Sequence, residues 1–474
     1  MKKILRILCC LSVLFCFGCQ SKTHLDAGDP TTIKVWNYYS GKQLESFTKL
    51  IDEFNKTVGK EKGIIVDTTS FGNVNELGQS VIDAANKKVG AKEVPDIFAA
   101  YADTAYQMDA LGLVEDLKPY FSDEALNKYI EGYIKEGYLN KDKQLKIFPI
   151  AKSTEVMMIN MTDFEKFAKA TGVSLQDLST IEGVTSVSKK YYEYTDSLTS
   201  IKNDGKAFFG RDAMANYLII GLKQFGHDIV SVSEGKTTLD FDKETVKKLW
   251  DNYYVPYVRG YFSSQGRFRS DDVKIGNIIS CVNSSSGSTF FPDKVITDDN
   301  KSYSIDVKTI AAPLFKDGKN IAVQQGAGMV VTKSDEAHVE ASVEFLKWFT
   351  ESKQNINFSI DSGYLPVTKE ANQTETIQET TKIESQIVKE VIDVSVNTVN
   401  NSNLYTTQVF DNGTKFRNEL EKCLQTQAES DRKVIKKELK QGKDYDEVIS
   451  QYDNNQNFEQ WYNKTYEALN NLMG

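Results

Sequence analysis

Histidine is scarce in this chain of 474 residues: His24, His227 and His338 are the only three, and they are scattered. That scarcity excludes a His-rich metal site, and no H-E-x-x-H pair is present to hold zinc. No G-x-S-x-G elbow marks a nucleophilic serine. No repeat of fixed period appears, nor a Gly/Ser linker long enough to separate independent domains. Positive charge is in deficit. The formal net charge of −9 argues against a nucleic-acid binder, and leaves a small ligand open because local potential at a site can oppose the net charge. Of six cysteines, Cys9, Cys10, Cys16 and Cys19 sit at the start, leaving Cys281 and Cys423. These two are far apart and in no metal-like spacing. Buried free thiols are expected, with one long-range disulfide as the alternative in an oxidising compartment. No metal and no cofactor is expected.

The one strongly apolar run is at the start. In MKKILRILCCLSVLFCFGCQSK, Lys2, Lys3 and Arg6 form a positive n-region, and Ile7 to Phe17 is too short for a permanent transmembrane helix. Gly18, then Cys19, then a polar tether resembles the lipobox of bacterial lipoproteins, although Cys16 and Phe17 stand where Leu and a small residue are usual. The resemblance implies a signal peptide over 1–18, acylation of Cys19, a tether over 19–32, and a soluble body held to a membrane outside the cytoplasm. An ordinary secretory signal, with Cys19 trimmed away or buried, is the alternative.

The remaining length allows two or three domains. IKVW reads as a strand, with Ser40 and Gln43 as a capping box for a helix that turns Leu44, Phe47, Ile51 and Phe54 inward. GIIVDTTSFG and VPDIFAAY are further strands separated by a helix, and Asp103 caps the helix that ends before Gly112. Strands alternating with helices predict βαβ units and a parallel sheet. QLKIFPI, EVMMIN, KIGNIISCV, TIAAPL and GAGMVVT read as strands, and TDFEKFAKATG as a helix capped by Thr162. From Thr381 the chain turns helical, and Ala428 to Asn455 reads as a solvated helical hairpin. The fold class is therefore α/β, with two lobes sharing one chain.

IKVWNYYSG, VPDIFAAYADTA, ALGLVEDLKPYF, KIFPIAKSTEVMMINMTDFEKFA, QQGAGMVVTK, EASVEFLKWFT and SGYLPVTKEA follow one another in order. In that order the chain resembles the extracellular solute-binding proteins of bacterial ABC importers, the maltose-binding and glycerol-phosphate-binding group. The resemblance implies a periplasmic-binding fold with hinge crossings: lobe 1 over 33–139 and 306–365, lobe 2 over 146–301 and 366–474 with the C-terminal helices. It further implies a monomer that closes on a carbohydrate-type solute, does no covalent chemistry, and is recognised by ABC permease subunits. Presentation of the ligand to a membrane sensor is the alternative, and a secreted glycosidase a lesser one.

Candidate site residues come from two arguments. Ligands of open α/β sheets lie at the carboxyl ends of strands, and those ends carry Tyr38, Tyr39, Ser70, Asn73, Tyr101, Asp103, Lys152 and Ser153. Tyrosine faces with hydroxyl and amide groups suit a polyhydroxylated ligand. Against this, Tyr38 and Tyr39 also suit packing of the first helix, and Asp103 a cap. The stretch VNSSSGS raises a further choice. Within the resemblance, Asn283, Ser284 and Ser285 look like the loop that glycerol-phosphate binders place in their cleft, where N–H groups and hydroxyls cradle an anion. Ser153, Gly326 and Tyr364 fall where the same relatives contact glycerophosphate. Otherwise the serines cap a helix beside a neutral sugar pocket. The arginine those relatives use is missing from LYTTQVFDN, and Arg417 lies several residues later.

Overall fold

The structure, a computed structural model, describes residues 23–139, 143–297 and 301–474. The signal segment and Cys19 lie outside the described residues.

The first lobe begins with three βα steps: β1 (Thr31–Asn37), α1 (Gly41–Lys56), β2 (Ile64–Ser70), α2 (Val74–Ala85), β3 (Ile97–Ala100) and α3 (Ala102–Ala110). β1 pairs in parallel with β2 and β3. Helix α1 buries Phe47, Leu50, Ile51 and Phe54, the i, i+3, i+4, i+7 stripe of a helix laid on a sheet. Its start differs from the expected box. Ser40 makes no side-chain cap bond, and Gln43 Nε2 donates to the Ser362 carbonyl at 3.1 Å instead.

The second lobe holds β4 (Glu155–Asn160), α4 (Met161–Thr171), α5 (Ile181–Asp196), β5 (Phe209–Arg211), α6 (Met214–Gln224), β6 (Ser280–Ser284), β7 (Val307–Ala311) and β8 (Ile321–Val323). Asn160, not Thr162, caps α4; the Thr162 hydroxyl accepts from the Asp306 N–H. The sheet order is β7-β4-β6-β5. Only β5 and β6 run parallel, and β4 is antiparallel to both its neighbours, so the all-parallel expectation does not extend here. Because β7 pairs with β4, residues 306–311 belong with this sheet rather than with lobe 1.

The chain then returns to the first sheet as β9 (Gly328–Val331), antiparallel to β3. Helices α7 (Glu336–Phe349) and α8 (Ser352–Ser362) follow and close the first core: Phe345, Trp348, Phe349 and Phe358 pack their rings with Phe47 and Phe54. Val367, Ala371 and Ile377 are buried in that core too, so the segment after 365 stays with the first lobe for a further stretch. α9 (Gln386–Asn401) spans the division, with Ile392, Val396 and Val399 in the first core and Val391 in a smaller cluster against β4 and β6. β10 (Asn403–Tyr405) pairs with β8. α10 (Gly413–Lys440), about 42 Å long at 1.5 Å per residue, lies along the second lobe. Ala428, Ile435, Val448 and Ile449 are buried in its core. The charged tail is therefore a packed element and not a solvated hairpin: charge occupies its outer face while one apolar stripe is inside.

Two strands of chain cross between lobes side by side. QLKIFPI forms no regular strand; it has the single antiparallel bridge Phe148↔Met329, and the residues that follow it add Lys152↔Leu365 and Ser153↔Gln325. α9 is the third crossing. Cys281 and Cys423 are free thiols, and burial pushes both up, Cys423 to about 12. Among the described residues no helix is long and apolar enough to cross a membrane.

Candidate interlobe site

The carboxyl end of the first sheet faces the β4, β5 and β6 ends of the second, and the two surfaces meet through hydroxyls. Tyr38 and Tyr364 share a hydroxyl hydrogen bond of 3.0 Å, and the Ser286 side chain is near enough to act on the Tyr364 phenol. Ser286 and Ser284 hydroxyls lie 3.0 Å apart, and Ser284 Oγ donates to Ser153 Oγ at 3.1 Å. Tyr38 and Tyr364 belong to the first lobe, the serines to the second lobe and the crossing strand. The five hydroxyls form two hydrogen-bonded groups, Tyr38–Tyr364 and Ser286–Ser284–Ser153, that meet where Tyr364 faces Ser286. Burial pushes both phenols well up, reinforced at Tyr38 by Tyr364 and at Tyr364 by Tyr39, so both stay neutral donors across the physiological range.

The serine stretch answers part of the question it raised. Asn283 and Ser284 end β6, and Ser285–Phe290 is a 3-10 turn. The Ser285 N–H is spent on the Thr154 carbonyl at 2.8 Å, so it is not a free donor for an anion. The Ser285 and Ser288 hydroxyls and Asn283 Oδ1 are buried without partners, and an unpaired buried polar atom is costly. The turn packs closely on the end of α8: a Cβ at Gly363 (φ +74°) would lie 3.2 Å from Ser286 Cα.

Charged groups form a second cluster at the same interface. Asp103 sits in the first turn of α3, where Tyr101 and not Asp103 occupies the cap position. Desolvation raises its carboxyl to about 6, opposed by Arg417 and reinforced by Glu136. Gly413, at the start of α10, faces it so closely that a Cβ there would lie 2.3 Å from Asp103 Oδ1. Arg417, one turn further on, donates to Asn216 Oδ1 at 2.7 Å and influences both Tyr101 and Asp103. Its separation from LYTTQVFDN does not keep it out of the cleft, because Gly413 opens a helix that carries it back. Asn216 in turn donates to Glu155, which is paired with buried Arg211 at 2.7 Å.

Lys152 is fully buried and committed. Its ammonium pairs with Glu136 and donates to the Gly326 carbonyl at 2.7 Å, while Gln324 also donates to Glu136. It serves the crossing strands rather than an open pocket. Gly326 (φ +97°) needs glycine, since a Cβ would lie 3.0 Å from the Ala151 carbonyl.

The other expected residues stand further back. Tyr39 is a core residue, packed on Phe47, Phe358 and Tyr364. Ser70 donates to the Tyr39 carbonyl at 2.6 Å. Asn73 caps α2, accepting from the Asn75 and Glu76 N–H groups. Tyr101 is partly exposed at the cleft edge. Glu136, Ser286, Asn216 and Gln324 carried no signal in the sequence reading. Ser286 was within the singled-out stretch; Glu136 and Asn216 come from helix faces whose orientation no local pattern reveals, and Gln324 from the crossing segment just after β8.

A family model of bacterial extracellular solute-binding proteins matches residues 49–385, and the chain belongs to that family of solute-binding proteins working outside the cytoplasm. Its fold is shared by the cyclic α-maltosyl-1,6-maltose binding protein of Arthrobacter globiformis, at 15% identity and TM-score 0.67 over 94% of this chain and 99% of that one. The ABC substrate-binding protein Lmo0181 of Listeria monocytogenes, solved with cycloalternan, is similar at 14% identity and TM-score 0.63, over 93% and 99%. UgpB of Mycobacterium tuberculosis, solved with glycerophosphocholine, is similar at 16% identity and TM-score 0.62, over 92% and 99%. No curated protein matches the chain by sequence.

Proposed function

We propose that this protein captures a carbohydrate-type solute (a sugar, an oligosaccharide or a glycerol phosphate) between its lobes by hinge closure and delivers it to an ABC importer, without covalent chemistry. The observation that carries the reading is the cluster of hydroxyls from Tyr38 through Tyr364, Ser286 and Ser284 to Ser153. Neutral hydroxyls contributed by both lobes can be exchanged for those of a polyhydroxylated solute, hydrogen bond for hydrogen bond. A solute that touches both lobes stabilises the closed arrangement over the open one by its differential contacts. The names of the solved relatives, two with glucose-based ligands and one with a glycerophosphodiester, point the same way. Acylation of Cys19 would keep the protein beside its permease.

A phosphate ester has one specific observation in its favour: Arg417 stands at the interface with a hydrogen bond to Asn216 and, among the described residues, no ion-pair partner. A thermal-shift screen tests both readings by setting glycerol phosphates and glycerophosphodiesters against mono- and oligosaccharides. A solute at one hundred times its Kd stabilises by about 2.7 kcal/mol. A phosphate ester whose shift disappears in Arg417→Ala supports the ester. A sugar whose shift survives that change supports the neutral solute. No shift across the panel contradicts carbohydrate-type capture.

A further inference from the structure

A groove of about 1390 Å³ lies wholly on the second lobe, away from the interlobe site. Ala207 and Ile279 line it, just before β5 and β6 begin, and Asp163 lines it beyond the end of β4. The interlobe cleft is at the other ends of those strands, marked by Arg211, Ser284 and Glu155. Helix α10 connects the two places. Arg417 is at its cleft end, and Arg432 is 15 residues on, about 22 Å along the axis.

The groove is basic in an acidic protein. Seven Lys and Arg side chains line it against three carboxylates, while the whole chain carries −9. The carboxylates are all engaged: Asp163 with Lys166 at 3.0 Å, Asp204 with the Thr199 hydroxyl at 2.7 Å, and Glu429 with Ser264 and Gln425, each at 2.7 Å. Five of the cations, Arg432, Lys433, Lys436, Lys437 and Lys440, come from the last turns of α10. Among the described residues none of the four lysines has an ion-pair partner.

Arg432, Lys436 and Lys440 repeat every four residues and so form one row about 12 Å long. Lys433 and Lys437 form a second row beside it. Partial burial and then the charges of Arg432 and Lys440 hold the Lys436 ammonium below its usual value. Parallel cationic rows repel one another. The groove is also lined by Tyr194, by Tyr303, over one side of whose ring the Lys166 ammonium lies at 5.6 Å, and by Leu198, 66% exposed.

We propose that this groove is a second binding site, taking an acidic oligosaccharide whose repeated anionic groups run along the α10 rows and whose ring faces rest on Tyr194 and Tyr303. A concave, aromatic-walled groove suits a chain of sugar rings rather than a flat membrane surface. A single small anion would use only one step of the row.

The test is direct binding of fluorescent hexagalacturonate to the purified protein by thermophoresis at low and physiological salt, with cellohexaose as the neutral match. The proposal expects saturable binding that weakens with salt, and any binding of the neutral cellohexaose, which belongs to the cleft, to be unaltered in the groove variant. It expects the exposed-site double variant Lys433→Gln/Lys437→Gln to weaken binding about tenfold or more. Lys42→Gln/Lys128→Gln, the same charge change on the first lobe, leaves binding intact. Arg417→Ala, which alters only the cleft, also leaves it intact. Absence of binding overturns the proposal, as does an unaltered Kd in the groove variant or a cellohexaose Kd that the groove variant raises as much. Loss in the Arg417 variant overturns it by placing the oligosaccharide in the cleft. Binding to phosphatidylglycerol vesicles but not to the oligosaccharide overturns it in favour of a lipid surface.

Discussion

Asp103 makes the interface pH-sensitive in a way that a single substitution isolates. Its carboxyl is raised from an ordinary 3.8 to about 6, chiefly by desolvation between α3 and the start of α10, with Arg417 opposing and Glu136 adding to the rise. A carboxyl raised on folding holds its proton in the folded state at pH values where the unfolded chain has lost it. Its contribution is therefore fully present below about 4 and is lost as pH rises through 6. The interval from 3.8 to about 6 corresponds to at most about 3 kcal/mol. Asp103→Asn substitutes a neutral isostere for the protonated carboxyl. Urea unfolding of both proteins from pH 4 to 7.5 should give nearly equal stabilities at pH 4. The variant's advantage should then grow with pH and level off above 7, at up to about 3 kcal/mol. Taking the difference between the two proteins removes other titrating groups such as Asp212, which burial also raises to about 6. A difference that stays flat with pH would refute the burial argument. A wild type that gains on the variant as pH rises would show that Arg417 stabilises the carboxylate and that the pair is net favourable.

Gly413→Ala places a Cβ 2.3 Å from Asp103 Oδ1, so the Asp103 side chain must move aside for the lobes to meet as they do here; solute affinity should fall in a titration, with little change in urea unfolding. Tyr364→Phe removes the hydroxyl that bonds Tyr38 and should weaken solute binding by about 0.5–1.5 kcal/mol, read by calorimetry. Glu136→Gln removes the carboxylate charge that faces the buried Lys152 ammonium, leaving it neutral acceptors only, and should cost about 3 kcal/mol in urea unfolding. Ile435→Ala opens a cavity beneath α10 and should cost about 3 kcal/mol by the same measurement; an unchanged midpoint would mean the helix is not part of the second lobe's core.

Much of this architecture was legible because periodicity reports burial. The stripe through Phe47, Ile51 and Phe54 fixes α1, and the βα alternation fixes the first sheet. Strand direction in the second lobe was not legible, since a buried apolar run such as EVMMIN reads the same parallel or antiparallel. The tail misled for a related reason: Ala428 and Ile435 are one apolar contact every two turns among charges, too sparse to announce burial. At the site, Tyr38, Ser153, Ser284 and Tyr364 were recognised as polar groups at strand ends and in family motifs, and the fold brings them together. Asn73 and Tyr39 satisfied the same criterion and went to a helix cap and a core, which strand-end position alone does not distinguish. Glu136 and Asn216 became visible only once helices from distant parts of the chain were set against the crossing strands.

The central claim is closure on a carbohydrate-type solute, and small-angle X-ray scattering of the protein across the solute panel tests it most directly. The account predicts that a solute which stabilises the protein also reduces its radius of gyration, and that Gly413→Ala opposes the reduction. A solute that binds while the radius of gyration stays unchanged would contradict it.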